Sequence, residues 1–494
     1  MQIYGKAFAG DPEDAALLNP WIAPSPLTPR GMPMGVELQT GRVVYFDPWL
    51  LKQLRIITGT IFLLLGQRDA GKSSLLIEIM MRMMRRQAGI LRDADGNPIG
   101  VRKMSGRITT RKANLTQHVE FKPLNDHLFG NFVDLNQRGF INIFDPLMNM
   151  TEFDLLETAI NICELANNNV PLRNFEPLAL QVGVYRMLTQ YASISSPEVL
   201  EIATRSLTKS DVEDYFERSN SQVFQLFESK LDEDPAMADQ LKIMTKMPIN
   251  LPEAEFKRDA AFVSSLLGRI LRADFGQVFG GTNSLREILT DDLTTLNMTG
   301  LNIKARTLIE AMLWKWNTIA LVNRDVDMIP GINIADEEHE GVNSLMYMRF
   351  WAQSVAKARA FTTLDLRATQ FVSQITMAGS EGSEIRSLAS QIGMGIGGYF
   401  IGQQPDDEQA LNEVAALGLK PQDVEFTKTL RMGEFGFKVP NRPVIFFRAL
   451  LTPTELAIAQ TNQASESMLE FVSPMMSLEI QERVRRYGFV QAGA

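Results

Sequence analysis

Apolar residues are spaced in three different ways along this chain. From Gly35 to Phe46 they alternate with polar residues, as VELQTGRVVYF, and the alternation turns at Thr40-Gly41. Period-two spacing about such a pair predicts a β-hairpin. The next run, GTIFLLLG, has no charged position and predicts a strand buried on both faces. QRDAGKSS follows it, and then LLIEIMMRMMRR, which has helical spacing. From about 151 to 270 helical spacing dominates, in FDLLETAINICELANN, EPLALQVGVYRMLTQYA and AAFVSSLLGRILRAD, separated by acid-rich connections.

After 270 strand-like and helix-like runs alternate: LTTLNMTG, ARTLIEAMLWKWNTIALV, PGINIADEE, SLMYMRFWAQSVAKARA, TTLDLRATQ, GMGIGGYFIG and PVIFFRALL. Such alternation predicts an α/β fold, a mostly parallel sheet with helices on both faces. Pro20, Pro24, Pro26, Pro29 and Pro33 oppose helix and sheet near the start, and SLEIQERVRRYG near the end reads as a short amphipathic helix. The expected organisation is a proline-rich arm at 1–35, a core built from 36–150 and 271–465, an all-helical insertion at 151–270, and a helical tail at 466–494.

Composition changes this picture little. The chain of 494 residues is 45% hydrophobic and 22% charged, as a soluble globular protein is. Its single cysteine, Cys163, forms no intrachain disulfide, and with His118, His127 and His339 scattered there is no zinc-spaced cluster. The longest apolar run, Ile61 to Leu65, is far short of the roughly 20 residues a membrane helix needs. The first residues show no basic region followed by an apolar stretch, so no signal peptide is expected. The reading is a cytoplasmic protein, reaching the inner face of a membrane only through a partner.

Charge adds one asymmetry. The net charge is −9, yet residues 79 to 122 carry ten basic residues against three acids. The plain reading is a solvated helix end and loop; the sharper one is a surface for DNA or another polyanion.

Chemistry enters at Gly66-Gln67-Arg68-Asp69-Ala70-Gly71-Lys72-Ser73, which fits G-x-x-x-x-G-K-[ST] without gap or substitution and lies between a buried-strand run and a helix. The glycines let backbone N–H groups turn inward onto phosphate oxygens. The following helix aims the positive end of its dipole at the same point. Lys72 is expected on the β- and γ-phosphates of ATP, the Ser73 hydroxyl on Mg²⁺, and Ser74 completes the loop. A carboxylate for the metal and a base for water are also needed. GINIADEEHE offers Asp336 for the Mg²⁺ shell and Glu337 to polarise water, with Glu338 and His339 less direct. Gln370 ends the run TTLDLRATQ, where it would touch the γ-phosphate or its water. Arg359 is the candidate finger into a neighbouring subunit, with Lys357 and Arg367 as rivals. Gly393 to Gly398 also fits G-x-G-x-x-G, but strand and turn follow it, so these glycines are expected to be points of close packing.

The order of these elements resembles the motor ATPases of conjugative type IV secretion systems, within the FtsK/HerA group. MGVELQTGRVVYFDP resembles that family's lead-in strand pair and GQRDAGKSS its Walker A loop. GFINIFDPL resembles its Asn-Pro-Phe-Asp segment at Asn142 to Asp145, and INIADEEHE its Walker B strand. KARAFTTLDLRATQ resembles its arginine to Thr-Gln motif, with Arg359 and Gln370 at the family's spacing. The closing GQQPDDEQALNEVAALGLKPQDV and RPVIFFRALLTPTELAIAQT resemble its last strands and threonine-proline-x-glutamate turn. Asn-Ile-Phe-Asp and Lys-Ala-Arg-Ala depart from the family pattern, and a short arm stands where the family carries a larger N-terminal domain.

The resemblance implies a RecA-like P-loop ATPase core and a homo-oligomeric ring, a hexamer, with active sites shared between subunits. It also implies ATP and Mg²⁺ as ligands and docking on a membrane-embedded secretion complex. Two other readings stay open. One is a DNA translocase or packaging ATPase of the same group, favoured by the basic stretch. The other is a nucleotide-binding structural subunit with little turnover, which the intact Glu337 opposes.

Overall fold

The computed structural model describes residues 31–85, 87–92, 98–110, 120–135, 142–144, 150–190, 196–218, 251–271, 292–322, 331–336, 338–358, 363–370, 372–376 and 378–459. For 87–92, 98–103, 316–322, 338–340, 357–358, 374 and 376 it describes the backbone alone. Most of the arm, the middle of the helical stretch and the tail therefore lie outside the described residues.

The lead-in pair is β1 (Met32–Glu37) and β2 (Val43–Phe46), antiparallel as the alternation predicts, with Gly41 at φ +69° in the turn. Strand β1 begins at Met32, inside the stretch assigned to the arm. Pro33 is tolerated there because β1 meets its second neighbour only from Gly35 onward, so its missing N–H costs no ladder bond. Asp47 caps the short α1 (Pro48–Gln53), accepting from the Trp49 and Leu50 N–H groups at 3.1 and 3.0 Å. Then come β3 (Ile61–Leu65) and α2 (Lys72–Met84).

The basic stretch holds a separate hairpin, β4 (Gln87–Arg92) with β5 (Pro98–Lys103), followed by β6 (Ser105–Thr110), α3 (Lys122–His127) and β7 (Asn131–Asp134). Helices α4 (Glu152–Ala166), α5 (Glu176–Gln190), α6 (Pro197–Arg205) and α7 (Glu253–Arg269) follow. The chain continues through β8 (Leu293–Asn297), α8 (Ile303–Val322), β9 (Gly331–Ala335), α9 (Leu345–Ala358), β10 (Leu364–Ala368), α10 (Ser373–Thr376), α11 (Glu384–Gly393) and β11 (Ile396–Ile401). It closes with α12 (Glu408–Ala416), α13 (Pro421–Thr429), β12 (Glu434–Lys438), β13 (Ile445–Ala449) and α14 (Pro453–Ala459).

Eleven strands form one sheet in the order β2-β1-β13-β12-β11-β3-β10-β9-β6-β8-β7. From β11 to β7 every pairing is parallel; from β11 to β2 every pairing is antiparallel. The sheet is thus mostly parallel, with an antiparallel wing made of the lead-in pair and the last two strands. Residues of β3 alternate between two cores. Ile61, Leu63 and Leu65 face α8, α9, α11 and α4, while Phe62 and Leu64 face α2 and the wing. Fully burying each such side chain contributes about 1.5–3 kcal/mol. An aromatic block locks the wing to the centre: Phe400 stacks on Phe437 at 4.8 Å, and Phe46 meets Phe62 edge-on at 5.0 Å.

The helical stretch is not uniform. Helix α4 contributes Leu155, Ala159 and Ile162 to the main core, and ion pairs bind it there: Lys315 on α8 to Asp154 and Glu157, Arg349 on α9 to Glu164. Helices α5 and α7 enclose a smaller cluster around Val182, Tyr215 and Phe256. The glycines near 395 are points of close packing. A Cβ on Gly395 would lie 2.2 Å from Val355 Cγ1, and one on Gly397 would lie 2.2 Å from the Gly59 carbonyl oxygen.

The far end of α2 is clamped by charge. Arg82 donates from Nε and Nη2 to the Glu455 carboxylate of α14 at 2.8 and 2.7 Å, to the Leu450 carbonyl at 2.6 Å, and to the Pro33 carbonyl. Glu455 also closes its own turn, accepting from the Thr452 N–H at 2.7 Å. Glu78, fully buried one turn back and 2.5 Å from Arg82, has its carboxyl pushed up to about 8. Burial is the main cause; Arg82 opposes it and the Glu455 charge adds to it. Below about pH 4.5 this carboxyl is protonated in folded and unfolded chains alike. Between there and about 8 only the unfolded chain releases the proton, so stability falls as pH rises. Glu78→Gln is therefore expected to raise the melting temperature by about a few degrees at pH 9 and to change it little at pH 5, measured by thermal denaturation across pH.

Candidate nucleotide-binding site

The sequence places a loop with special backbone positions between a strand that cannot move and a helix that starts at Lys72. Gly66 (φ +148°) and Gly71 (φ +89°) adopt conformations that L side chains rarely reach, and Asp69 takes φ +61°. Space also demands the glycines. A Cβ on Gly66 would sit 3.3 Å from the Gln403 carbonyl oxygen, and one on Gly71 would sit 3.1 Å from the Gly433 amide nitrogen. Gly71 is the N-cap of α2 and has no side chain, so it caps none of the N–H groups of the first turn.

Both ends of the loop are braced from the β11–β12 side. Gln67 N–H donates to the Gln403 carbonyl at 2.9 Å, and Gly433 N–H donates to the Ala70 carbonyl at 3.3 Å. Lys72 Nζ reaches back over the loop to the Gly66 and Gln67 carbonyls at 2.7 and 2.8 Å. Arg68 and Asp69 are at the surface, Ala70 is buried, and Ser73 and Ser74 in the first turn of α2 are half-buried. The braces at Gln403 and Gly433 escaped the sequence reading. GQQ after a strand and RMGE before one carried that signal only as turn chemistry.

The acidic element lies two strands away. Strand β10 separates β3 from β9, so Asp336, which follows β9, stands about 10 Å across the sheet from the end of β3. All three strands run parallel, and their carboxyl ends share one edge. Asp336 is 3% exposed. Thr369 extends the ladder, donating its N–H to the Leu64 carbonyl at 2.9 Å, which sets the half-buried Gln370 beside the phosphate loop. The segment beyond Gln370 is anchored by Glu413 on α12, which accepts from Ser373 N–H at 3.2 Å and from its hydroxyl. Glu337 and Arg359 lie outside the described residues, as do the side chains of Glu338, His339 and Lys357.

The arrangement fits ATP and Mg²⁺. The loop offers backbone N–H groups, a helix N-terminus and one lysine to a polyphosphate. Ser73 and Asp336 offer the hydroxyl and carboxylate that a magnesium ion takes beside phosphate oxygens. Among the described residues no three His, Cys, Asp or Glu side chains stand close enough to hold a metal alone, and a phosphate-shared Mg²⁺ requires none.

Arg367, a rival for the finger, is removed from that role by its surroundings. It is 3% exposed in the middle of the sheet, pairs with Asp365 at 3.0 Å and lies over the rings of Trp314 and Trp351 at 4.2 and 4.4 Å. Burial raises the Asp365 carboxyl while the Arg367 charge pulls it back down. Arg82, counted among the ten basic residues at 79–122, is half-buried and paired with Glu455, so the free surface charge there is smaller than the sequence count. Arg367→Ala leaves Asp365 buried and unpaired, and is expected to cost about 3–5 kcal/mol in chemical denaturation. The double change Asp365→Leu with Arg367→Met is expected to recover most of that loss.

No protein-family profile matches the sequence, and no curated protein matches it. Solved structures do. VirB4 of Thermoanaerobacter pseudethanolicus superposes with a TM-score of 0.59 at 13% identity, covering 88% of this chain and 100% of that one. The plasmid coupling protein TrwB, in complex with the non-hydrolysable ATP analogue ADPNP, gives 0.47 at 12% identity over 87% and 96%. The cytoplasmic domain of the Thermomonospora curvata type VII secretion ATPase EccC gives 0.31 at 11% identity over 89% and 32%. The strand, loop and helix at Gly66–Ser73, the parallel edge carrying Asp336 and the VirB4 superposition agree: this chain has the α/β fold of VirB4, a large mostly parallel sheet covered by helices.

Proposed function

We propose that this chain hydrolyses ATP as the subunit of a ring-forming motor, a hexamer, that powers a conjugation-type secretion machine. The observation that carries the reading is the braced Gly66–Ser73 loop on the same sheet edge as Asp336 and Gln370. In this reading the loop N–H groups and Lys72 hold the β- and γ-phosphates, and Ser73 and Asp336 hold Mg²⁺. Bound Mg²⁺ supplies positive charge against the charge that develops on the phosphoryl oxygens. Glu337 accepts the proton of the attacking water, and Gln370 orients that water against the γ-phosphate. In the same reading Arg359 belongs to the neighbouring subunit's site. The core comprises 36–150 and 271–465 together with the start of β1 at Met32 and helix α4, and the rest of the helical stretch up to 270 is inserted. No helix among the described residues is long and apolar enough to cross a membrane. In this reading the motor docks on a membrane-embedded secretion complex.

A second reading, a DNA translocase, is favoured by one observation. The hairpin β4–β5 stands apart from the main sheet and carries Arg92, Arg102 and Lys103.

ATP turnover with Mg²⁺, alone and with single- or double-stranded DNA, tests both. Lys72→Ala and Glu337→Gln are each expected to lower turnover by about 100-fold or more. Turnover that ignores DNA supports the secretion motor, and strong stimulation by DNA supports the translocase. Wild-type protein that binds ATP without turning it over would sink both in favour of a structural subunit. Mixing inactive Lys72→Ala with inactive Arg359→Ala subunits is expected to restore part of the turnover. Mixtures that stay dead would remove the shared site.

A further inference from the structure

An exposed methionine stands against the phosphate loop on the side away from the acidic element. Met432 is 75% exposed, and its Cγ lies 3.7 Å from where a Cβ on Gly71 would be. The turn that presents it is rigid. Glu434 N–H donates to the Arg431 carbonyl at 2.9 Å, and the Glu434 carboxylate accepts from the Arg431 N–H at 3.0 Å. That carboxylate is held in turn by Arg448, from Nε at 3.1 Å and Nη2 at 2.7 Å. Gly433 takes φ +81° with open space where a Cβ would go, so conformation alone requires glycine there. Its N–H bonds the Ala70 carbonyl, tying the turn directly to the loop. Met432 is therefore the apex of a braced turn whose geometry is coupled to the loop.

The direction of the nucleotide follows from the sheet. Strands β10 and β9 lie on one side of β3 and carry Gln370 and Asp336 at their ends; β11 and β12 lie on the other. A triphosphate whose γ end meets Gln370 and Asp336 sends its nucleoside toward β11 and β12, where Met432 stands. We propose that the nucleobase of the bound nucleotide rests on Met432, with the 431–434 turn as its platform. This rests on the ATPase reading above and adds the base subsite to it. A thioether is well matched to a nucleobase. It is polarisable, packs on a π face, and adapts its rotamer on a fixed turn.

Calorimetric binding of a non-hydrolysable ATP analogue and of inorganic tripolyphosphate, both with Mg²⁺, separates base from phosphate. Met432→Ala is expected to weaken the analogue by about 3- to 10-fold and leave tripolyphosphate unchanged. Met432→Leu, which keeps the apolar bulk, is expected to restore most of the loss. An analogue affinity unchanged in Met432→Ala overturns the assignment. Equal weakening of both ligands also overturns it, since Met432 would then act through the loop. Wild-type protein that binds neither ligand removes the ATPase reading itself, and the base subsite with it.

Discussion

The Gly66–Ser73 loop depends on one constraint: its shape must be held by backbone hydrogen bonds from strands that are not its sequence neighbours. Two contacts do this, Gln67 N–H to the Gln403 carbonyl and Gly433 N–H to the Ala70 carbonyl. They work only because β11 lies beside β3 and β12 lies beside β11. That placement follows from packing. Strand β3 is apolar at every position, so it lies inside the sheet with one core on each face. The Phe46, Phe62, Phe400 and Phe437 block then fixes the antiparallel wing against it.

The helix that leaves the loop is held at its other end by charge. Nine of its residues are buried, which leaves it few polar positions. Arg82 uses its planar fork to join three separate pieces of the wing: the Pro33 carbonyl, the Leu450 carbonyl and the Glu455 carboxylate. The Thr-Pro-x-Glu turn therefore has a physical role here. Glu455 caps its own helix and receives Arg82 with the same carboxylate.

The opposite face uses polar contacts differently. Strand β10 turns Leu364, Leu366 and Ala368 to one core and sets Asp365 and Arg367 against Trp314, Trp351 and Tyr347 on the other. A buried pair of this kind gains little net energy but is costly to break, so it fixes the register between β10 and the helices that cover it. The strand that delivers Gln370 to the site is thereby held firmly from α8 and α9. Lys315 and Arg349 extend the same polar layer to α4, which ties the helical stretch to the helix that follows Asp336.

Much of this was legible in the residues. The lead-in hairpin, β3, α2, the run from β8 to β11 and β13 all lie where the periodicity put them, because apolar spacing is a local signal. The strand, loop and helix around Gly66–Ser73 were legible for the same reason: glycine at two fixed positions and lysine before a helix are local needs. What tertiary structure alone decided involves residues distant in sequence. Strands β6 and β7, SGRITT and NFVD, lack an apolar pattern and become strands because their neighbours are already in the sheet. Pro33 is a strand residue because β13 stops short of it. Arg367 and Arg82 carry the same charge as any surface arginine, and only the rings and carboxylates brought around them bury the first and half-bury the second. The braces at Gln403 and Gly433 and the exposed Met432 beside Gly71 belong to the same class. A sequence states what each residue needs, but which distant atom meets that need is settled only when the sheet closes.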